Sequence, residues 1–207
     1  MKILIVDDHA LFREGVKQIL ETEFSNAVFG EAASTSEALA QFWAQPWELV
    51  LLDVSMHGRS GLDALKEIRA SPSKVPVLVL SAHPEEQYAL RALKTGAAGY
   101  LTKECLPQEL CRAARKVCNG GTYISSTLAE QLAAELQSSG RPAHEALSNR
   151  EYQVMLLLAS GKVPKEVGDE LCLSVKTVGT YRARVLQKLK LRNNAEIMRY
   201  VVEQGLS

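Results

Sequence analysis

The stretch LVLLDVSMHG, residues 49–58, runs four apolar residues directly into a carboxylate. A run apolar at every position, rather than at alternate ones, marks a strand buried on both faces, as in the middle of a parallel sheet. Asp53 then stands at the carboxyl end of a central strand, where open α/β sheets place their ligands. The same pattern recurs through the first 121 residues. KILIV (2–6) stops at Asp7 and Asp8, AVFGEA (27–32) follows, VPVLVLS (75–81) ends on Ser81, and AGYLT (98–102) leads into Lys103. Helical periodicity fills the intervals. Leu11, Phe12, Val16, Ile19 and Leu20 follow the first strand, and Leu39 and Phe42 follow a Ser34–Glu37 capping pair. Leu62, Leu65 and Ile68 mark the third helix, Pro84 and Pro107 open the last two, and Gly120 and Gly121 close the series. Five strands separated by helices predict a parallel sheet covered on both faces.

Composition sets the frame. The chain has 207 residues, 23% charged and 46% apolar, with zero formal net charge. Split by region, residues 1–121 carry 13 basic and 15 acidic groups, and residues 148–207 carry 10 and 6. That asymmetry points to an anionic partner for the C-terminal part. No stretch approaches the about 18 apolar residues of a membrane helix, and MKILIVDDH has too short an apolar run for a signal peptide. The four cysteines, Cys105, Cys111, Cys118 and Cys172, show neither CxxC spacing nor scaffold density, which predicts reduced thiols and a cytoplasmic location. Cys111 and Cys118 are expected to share a helix face.

In a flavodoxin-like strand order 2-1-3-4-5, strands one and three are neighbours, so Asp7, Asp8 and Asp53 converge. Three carboxylates within a few ångströms repel unless a cation joins them or some are protonated. Hard oxygen ligands completed by water suit Mg²⁺. Lys103 and Ser81, from the next two strands, are placed to hold phosphoryl oxygens, and Asp53 is placed as a nucleophile able to form an aspartyl phosphate. With VDD (6–8), LLDVSM (51–56), LSA (80–82), AGYLTK (98–103), Gly58 and Gly61 in this order, residues 2–120 resemble the receiver domain of bacterial two-component response regulators. The resemblance implies that a sensor histidine kinase phosphorylates Asp53. It implies that Asp8, Asp53 and the Ser55 backbone carbonyl ligate Mg²⁺, with Asp7 acting through water. Lys103 would pair with the phosphoryl group, Ser81 would swing to bond it, and Tyr100 would rotate inward. His57 stands where that family often has proline. His9, His57 and His83 border the pocket, and the expected account of them is solvent-exposed loop histidines.

Residues 125–136 read as helical and QSSGRPAHEA (137–146) as a linker. A second unit opens at Ser148, where SNRE is a capping box, and Val154, Leu157, Leu158, Val167, Leu171, Val178, Val185, Leu189 and Ile197 form its expected core. Between Ser174 and Arg192 lie six basic residues and no acid, an electrostatic footprint for phosphate. At 100° per residue, Val178, Val185 and Leu189 share a buried face. Lys176, Gly179, Thr180, Ala183 and Gln187 lie opposite, with Arg184 at the edge. LSNRE, KEV, LSVKTV and KLKL resemble the LuxR-type helix-turn-helix, and with the receiver they make a NarL/FixJ-like regulator. That resemblance implies a helix-turn-helix over 165–184 and a recognition helix over 174–189. Lys176, Thr177, Thr180, Tyr181, Arg182, Arg184 and Lys188 would contact double-stranded DNA, with Thr180 as the best base reader. The last helix, with Ile197, Val201 and Val202, would help dimerise the domain.

The expected organisation is a receiver over 1–121, a linker with a helical segment over 122–146 and a small all-α helix-turn-helix domain over 147–207. The expected function is a phosphorylation-switched transcription regulator, homodimeric when phosphorylated and not an enzyme. Two other classes compete. An aspartyl-phosphate hydrolase usually carries a second acid two residues after its nucleophile, where this chain has Ser55. A protein-binding adaptor would lack steep salt-dependent binding to duplex DNA.

Overall fold

Strand β3 (Leu49–Asp53) lies at the centre of a five-stranded parallel sheet. β1 (Lys2–Val6) and β4 (Val77–Ser81) flank it, and β2 (Val28–Ala32) and β5 (Gly99–Thr102) form the edges, in the order β2-β1-β3-β4-β5. The register pairs Val6 with Leu52, Asp53 with Leu80 and Ser81 with Thr102, so the carboxyl ends of four strands open on one rim. This computed structural model describes residues 1–56, 60–137 and 142–206. His57, Gly58 and the centre of the expected linker lie outside the described residues.

The helices that cover the sheet are α1 (Ala10–Glu23), α2 (Thr35–Ala44), α3 (Gly61–Ala70), α4 (Glu85–Thr95) and α5 (Pro107–Cys118). Ile3, Ile5, Leu49, Leu51, Leu78 and Leu80 pack with Val16, Leu20, Leu110 and Val117 into one continuous core. Alternation along the strands turns Leu4, Val50, Leu52 and Val79 to the other face, where α2, α3 and α4 lie. Every residue of β3 and β4 is buried, as the unbroken apolar runs predict. Each fully buried Leu or Val side chain stabilises the sheet by about 1.5–3 kcal/mol, which anchors the strand ends rigidly. Cys111 Sγ donates to the Ile19 carbonyl and Cys118 packs against the same core, so both share the inward side of α5.

Local departures from the sequence reading have simple causes. β4 begins at Val77, because Pro76 has no N–H to give and contributes only its carbonyl, to Val50 N at 3.0 Å. Pro84 caps α4 from outside instead of occupying its first turn. Ser34 Oγ accepts from Glu37 N, but the Glu37 carboxylate takes the N–H of Ala33, one residue short of a reciprocal box.

By internal contacts the chain divides into Met1–Gln131 and Leu132–Ser207. α6 (Ser126–Gln137) is followed by a 3-10 turn at Ala143–Ala146, α7 (Asn149–Ala159), α8 (Pro164–Leu171), α9 (Val175–Leu189) and α10 (Asn194–Glu203). Ser148 and Glu151 form the reciprocal capping box: Ser148 Oγ accepts from Glu151 N, and the Glu151 carboxylate accepts from Ser148 N at 2.7 Å. Of the expected core positions all are buried except Leu157, which is half-buried, and Tyr152 and Met155 join them. Gly168, costly in a helix by about 1 kcal/mol, lets α8 meet the turn after it: a Cβ there would stand 2.6 Å from the Leu173 carbonyl oxygen. Among the described residues no helix is long and apolar enough to cross a membrane.

Candidate functional site

Asp7, Asp8 and Asp53 meet at the carboxyl rim as the strand order requires. Asp7 and Asp53 are each only 1% exposed, an unusual depth for carboxylates that are not paired. Asp53 Oδ1 accepts the N–H of Ser55 at 2.7 Å, and Oδ2 accepts from Lys103 Nζ at 2.7 Å. The same ammonium lies 2.6 Å from Asp7 Oδ2 and covers the Phe12 ring at 4.7 Å. Gly61 at the start of α3 makes the geometry feasible, since a Cβ there would stand 2.0 Å from the Asp53 carbonyl oxygen.

Burial raises the Asp53 carboxyl above its ordinary value, against the lowering pull of Lys103 and of the Ser55 N–H. Burial also works against the Lys103 charge, yet Asp53 and Asp7 outweigh it and hold the ammonium above its ordinary value. One lysine therefore offsets three clustered acids only in part. The donor set fits a hard divalent cation: carboxylate oxygens of Asp7, Asp8 and Asp53 lie within 4.8 Å of one another, and His9 offers a nitrogen within the same span.

His9 is the member of this cluster that sequence reading placed only at its border. Its side chain is 66% exposed, yet Nδ1 lies 2.8 Å from Asp8 Oδ1 and 3.2 Å from Asp7 Oδ1, and the backbone N–H of His9 donates to Asp7 Oδ1. Its place directly after the acid pair was the available signal. His83 is half-buried and its ring lies 4.8 Å from that of Tyr88, so it is more enclosed than expected.

Ser81 and Tyr100 lie beside the acids, both fully buried. Tyr100 already points inward: its hydroxyl donates to the His83 carbonyl at 2.9 Å, and burial pushes its pKa well up.

The basic helix is α9, capped by Ser174, whose Oγ accepts from Thr177 N at 3.1 Å. Val178, Val185 and Leu189 are buried, while Lys176, Gly179, Thr180, Ala183, Arg184 and Gln187 are exposed, as the helical spacing predicts. Arg184 lies over the half-buried Tyr181 ring at 6.0 Å. Four members of the expected contact set are hydrogen-bonded through their side chains within their own unit, Thr180 by Oγ1 to the Lys176 carbonyl at 3.1 Å. Thr177 Oγ1 bonds Ser174 Oγ at 2.8 Å, and Arg182 Nε donates to Asn194 Oδ1 at 2.6 Å. Lys188 Nζ donates to the capping-box Glu151 at 2.6 Å and to the Ala146 carbonyl at 3.2 Å.

A doubly wound sheet with this acid rim, followed by a helix-turn-helix unit, defines a class, and comparison with known families agrees. The response regulator receiver domain family matches residues 3–115, and the family of bacterial regulatory proteins of the luxR type matches residues 145–201. The chain belongs to the response regulators: a receiver joined to a LuxR-type DNA-binding domain, a regulator of transcription. It is similar over its whole length to response regulator UvrY of Escherichia coli O6:H1, 37% identical across 95% of that protein. Response regulator GacA of Pseudomonas protegens is 36% identical over 100% of this chain and 97% of its own. RcsB of Salmonella enterica serovar Typhimurium, solved bound to promoter rprA with the phosphomimetic BeF3⁻, shares the fold with a TM-score of 0.66 at 22% identity, over 98% of each chain.

Proposed function

We propose that Asp53 is the phosphoacceptor and that its phosphorylation by a sensor histidine kinase controls DNA binding by the C-terminal unit. The observation that carries this reading is the Lys103 ammonium, held at 2.7 Å from Asp53 and 2.6 Å from Asp7 inside a three-carboxylate rim. Asp8, Asp53 and the Ser55 backbone carbonyl would hold Mg²⁺, with Asp7 acting through water. Mg²⁺ there supplies charge neutralisation for the phosphoryl oxygens and the acids. An Asp53 carboxylate oxygen attacks the phosphorus of the kinase phosphohistidine, the P–N bond breaks, and the imidazole leaves with the electron pair. Lys103 then moves from the carboxylate to a phosphoryl oxygen, and Ser81 bonds another. The receiver accepts a group and passes on a state; it is not an enzyme of substrate turnover.

Lys176, Thr177, Thr180, Tyr181, Arg182, Arg184 and Lys188 lie along the DNA-binding helix, with divided labour. Lys176, Thr180 and Arg184 face outward, where base edges and phosphates are reached. Arg182 and Lys188 brace α9 against Asn194 and Glu151, and Thr177 braces its cap. Ile197 and Val201 are buried in the unit's own core, so Met198 and Val202, 44% and 61% exposed, are the apolar groups on α10 for a homodimer contact. The working boundaries are receiver 1–121, linker 122–146 and DNA-binding domain 147–207, in a cytoplasmic protein.

Acetyl phosphate with Mg²⁺ tests the first step. One phosphoryl group on wild type, located at Asp53 by peptide mass spectrometry and absent from Asp53→Asn, is the expected result. Equal labelling of the variant would overturn the assignment.

A further inference from the structure

Two hydroxyls from different strand ends meet beside Asp53: Ser55 Oγ lies 3.3 Å from Ser81 Oγ. Ser55 is fixed there because its N–H is bound to the Asp53 carboxylate at 2.7 Å. Ser81 Oγ also accepts the N–H of His83 at 3.0 Å, and the His83 carbonyl accepts the Tyr100 hydroxyl at 2.9 Å. One assignment of protons satisfies the whole chain. Ser81 O–H donates to Ser55 Oγ, Ser81 Oγ accepts the N–H of His83, and the His83 carbonyl accepts the Tyr100 O–H. The series runs through the backbone of His83, so the hold of Ser55 on Ser81 reaches the acceptor of the Tyr100 hydroxyl. Tyr100 is fully buried in its inward seat.

We propose that the Ser55 side chain is a positioning residue for the Ser81–Tyr100 switch, seating Tyr100 inward before phosphoryl transfer. This rests on the reading of Asp53 as phosphoacceptor: a phosphoryl oxygen would then take the place of Ser55 on the Ser81 hydroxyl. A seat already formed lowers the conformational cost of activation, because the competent state is populated in advance.

The test uses the full-length protein with ¹³C-labelled tyrosine, the Tyr100 ring signal being assigned through Tyr100→Phe. Without Mg²⁺ or beryllofluoride, Ser55→Ala moves the Tyr100 signal away from its wild-type position, and Ser55→Thr, which keeps the hydroxyl, leaves it in place. Adding Mg²⁺ and beryllofluoride brings Ser55→Ala to the liganded wild-type position. A Tyr100 signal unmoved in Ser55→Ala, or moved as far in Ser55→Thr, overturns the proposal. Equal movement of the five other tyrosines overturns it too, since the effect would then be general disorder. A wild type that binds no beryllofluoride with Mg²⁺ in calorimetric titration counts against Asp53 as phosphoacceptor, while the comparison without ligand still decides the role of Ser55.

Discussion

At the scale of single residues, the pocket depends as much on a missing side chain as on charged ones. Gly61 lets the start of α3 approach the end of β3, and a Cβ there would stand 2.0 Å from the Asp53 carbonyl oxygen and 2.8 Å from Val54 Cα. Neither backbone atom can swing aside as a flexible side chain would. Gly61→Ala is therefore expected to destabilise the receiver by about 1–3 kcal/mol in urea melts, by overpacking. Calorimetric titration should show weaker Mg²⁺ binding in the same variant, because the shift falls on Asp53. Unchanged stability and affinity would show that the loop yields freely. Asp7, Asp8, Asp53, Ser81 and Lys103 were legible in the sequence because each ends or follows an apolar strand run. The Ser55–Ser81 bridge and the His9 contacts were not, since they depend on how side chains turn after the strand order is set.

At the scale of elements, α9 shows why a basic residue is not always a phosphate contact. Lys188 lies on the basic stretch, yet its ammonium is taken by Glu151 of the α7 capping box. Sequence spacing shows the face of a residue; it does not show a partner 37 positions away. Lys176→Ala is expected to reduce the salt slope of DNA binding by about 1, as loss of one phosphate contact does. Lys188→Met should leave that slope unchanged and lower thermal stability instead. The expected loss is about 1 kcal/mol, since the ammonium is 40% exposed and screened. A reduced slope in Lys188→Met would place that lysine on the DNA. The pair also predicts an acid response. Burial alone would raise the Glu151 carboxyl, but the Lys188 bond and the Ser148 N–H outweigh it and hold it below its ordinary 4.5. A carboxylate depressed in the folded state contributes stability above its unfolded value and loses it as pH falls through the folded one. Thermal melts of wild type should thus fall more steeply below pH 4.5 than those of Glu151→Gln.

At the scale of the whole molecule, two units are joined through a segment that sequence reads as linker, and the central claim is that one reports the state of the other. The five strands and helix α9 were both legible, because periodicity and strand-ending residues mark them locally, and the order 2-1-3-4-5 followed from the doubly wound fold that their alternation implies. The coupling was not legible, because it is a free-energy difference between states and not a pattern of residues. It is measured most directly as binding of the full-length protein to a genomic DNA fragment chosen by selection, with and without beryllofluoride and Mg²⁺. The account predicts that beryllofluoride tightens binding of wild type by about 5- to 150-fold, the usual span of such coupling, and leaves Asp53→Asn unchanged. Equal stimulation of Asp53→Asn, or a wild type that binds DNA alike in both conditions, would contradict it.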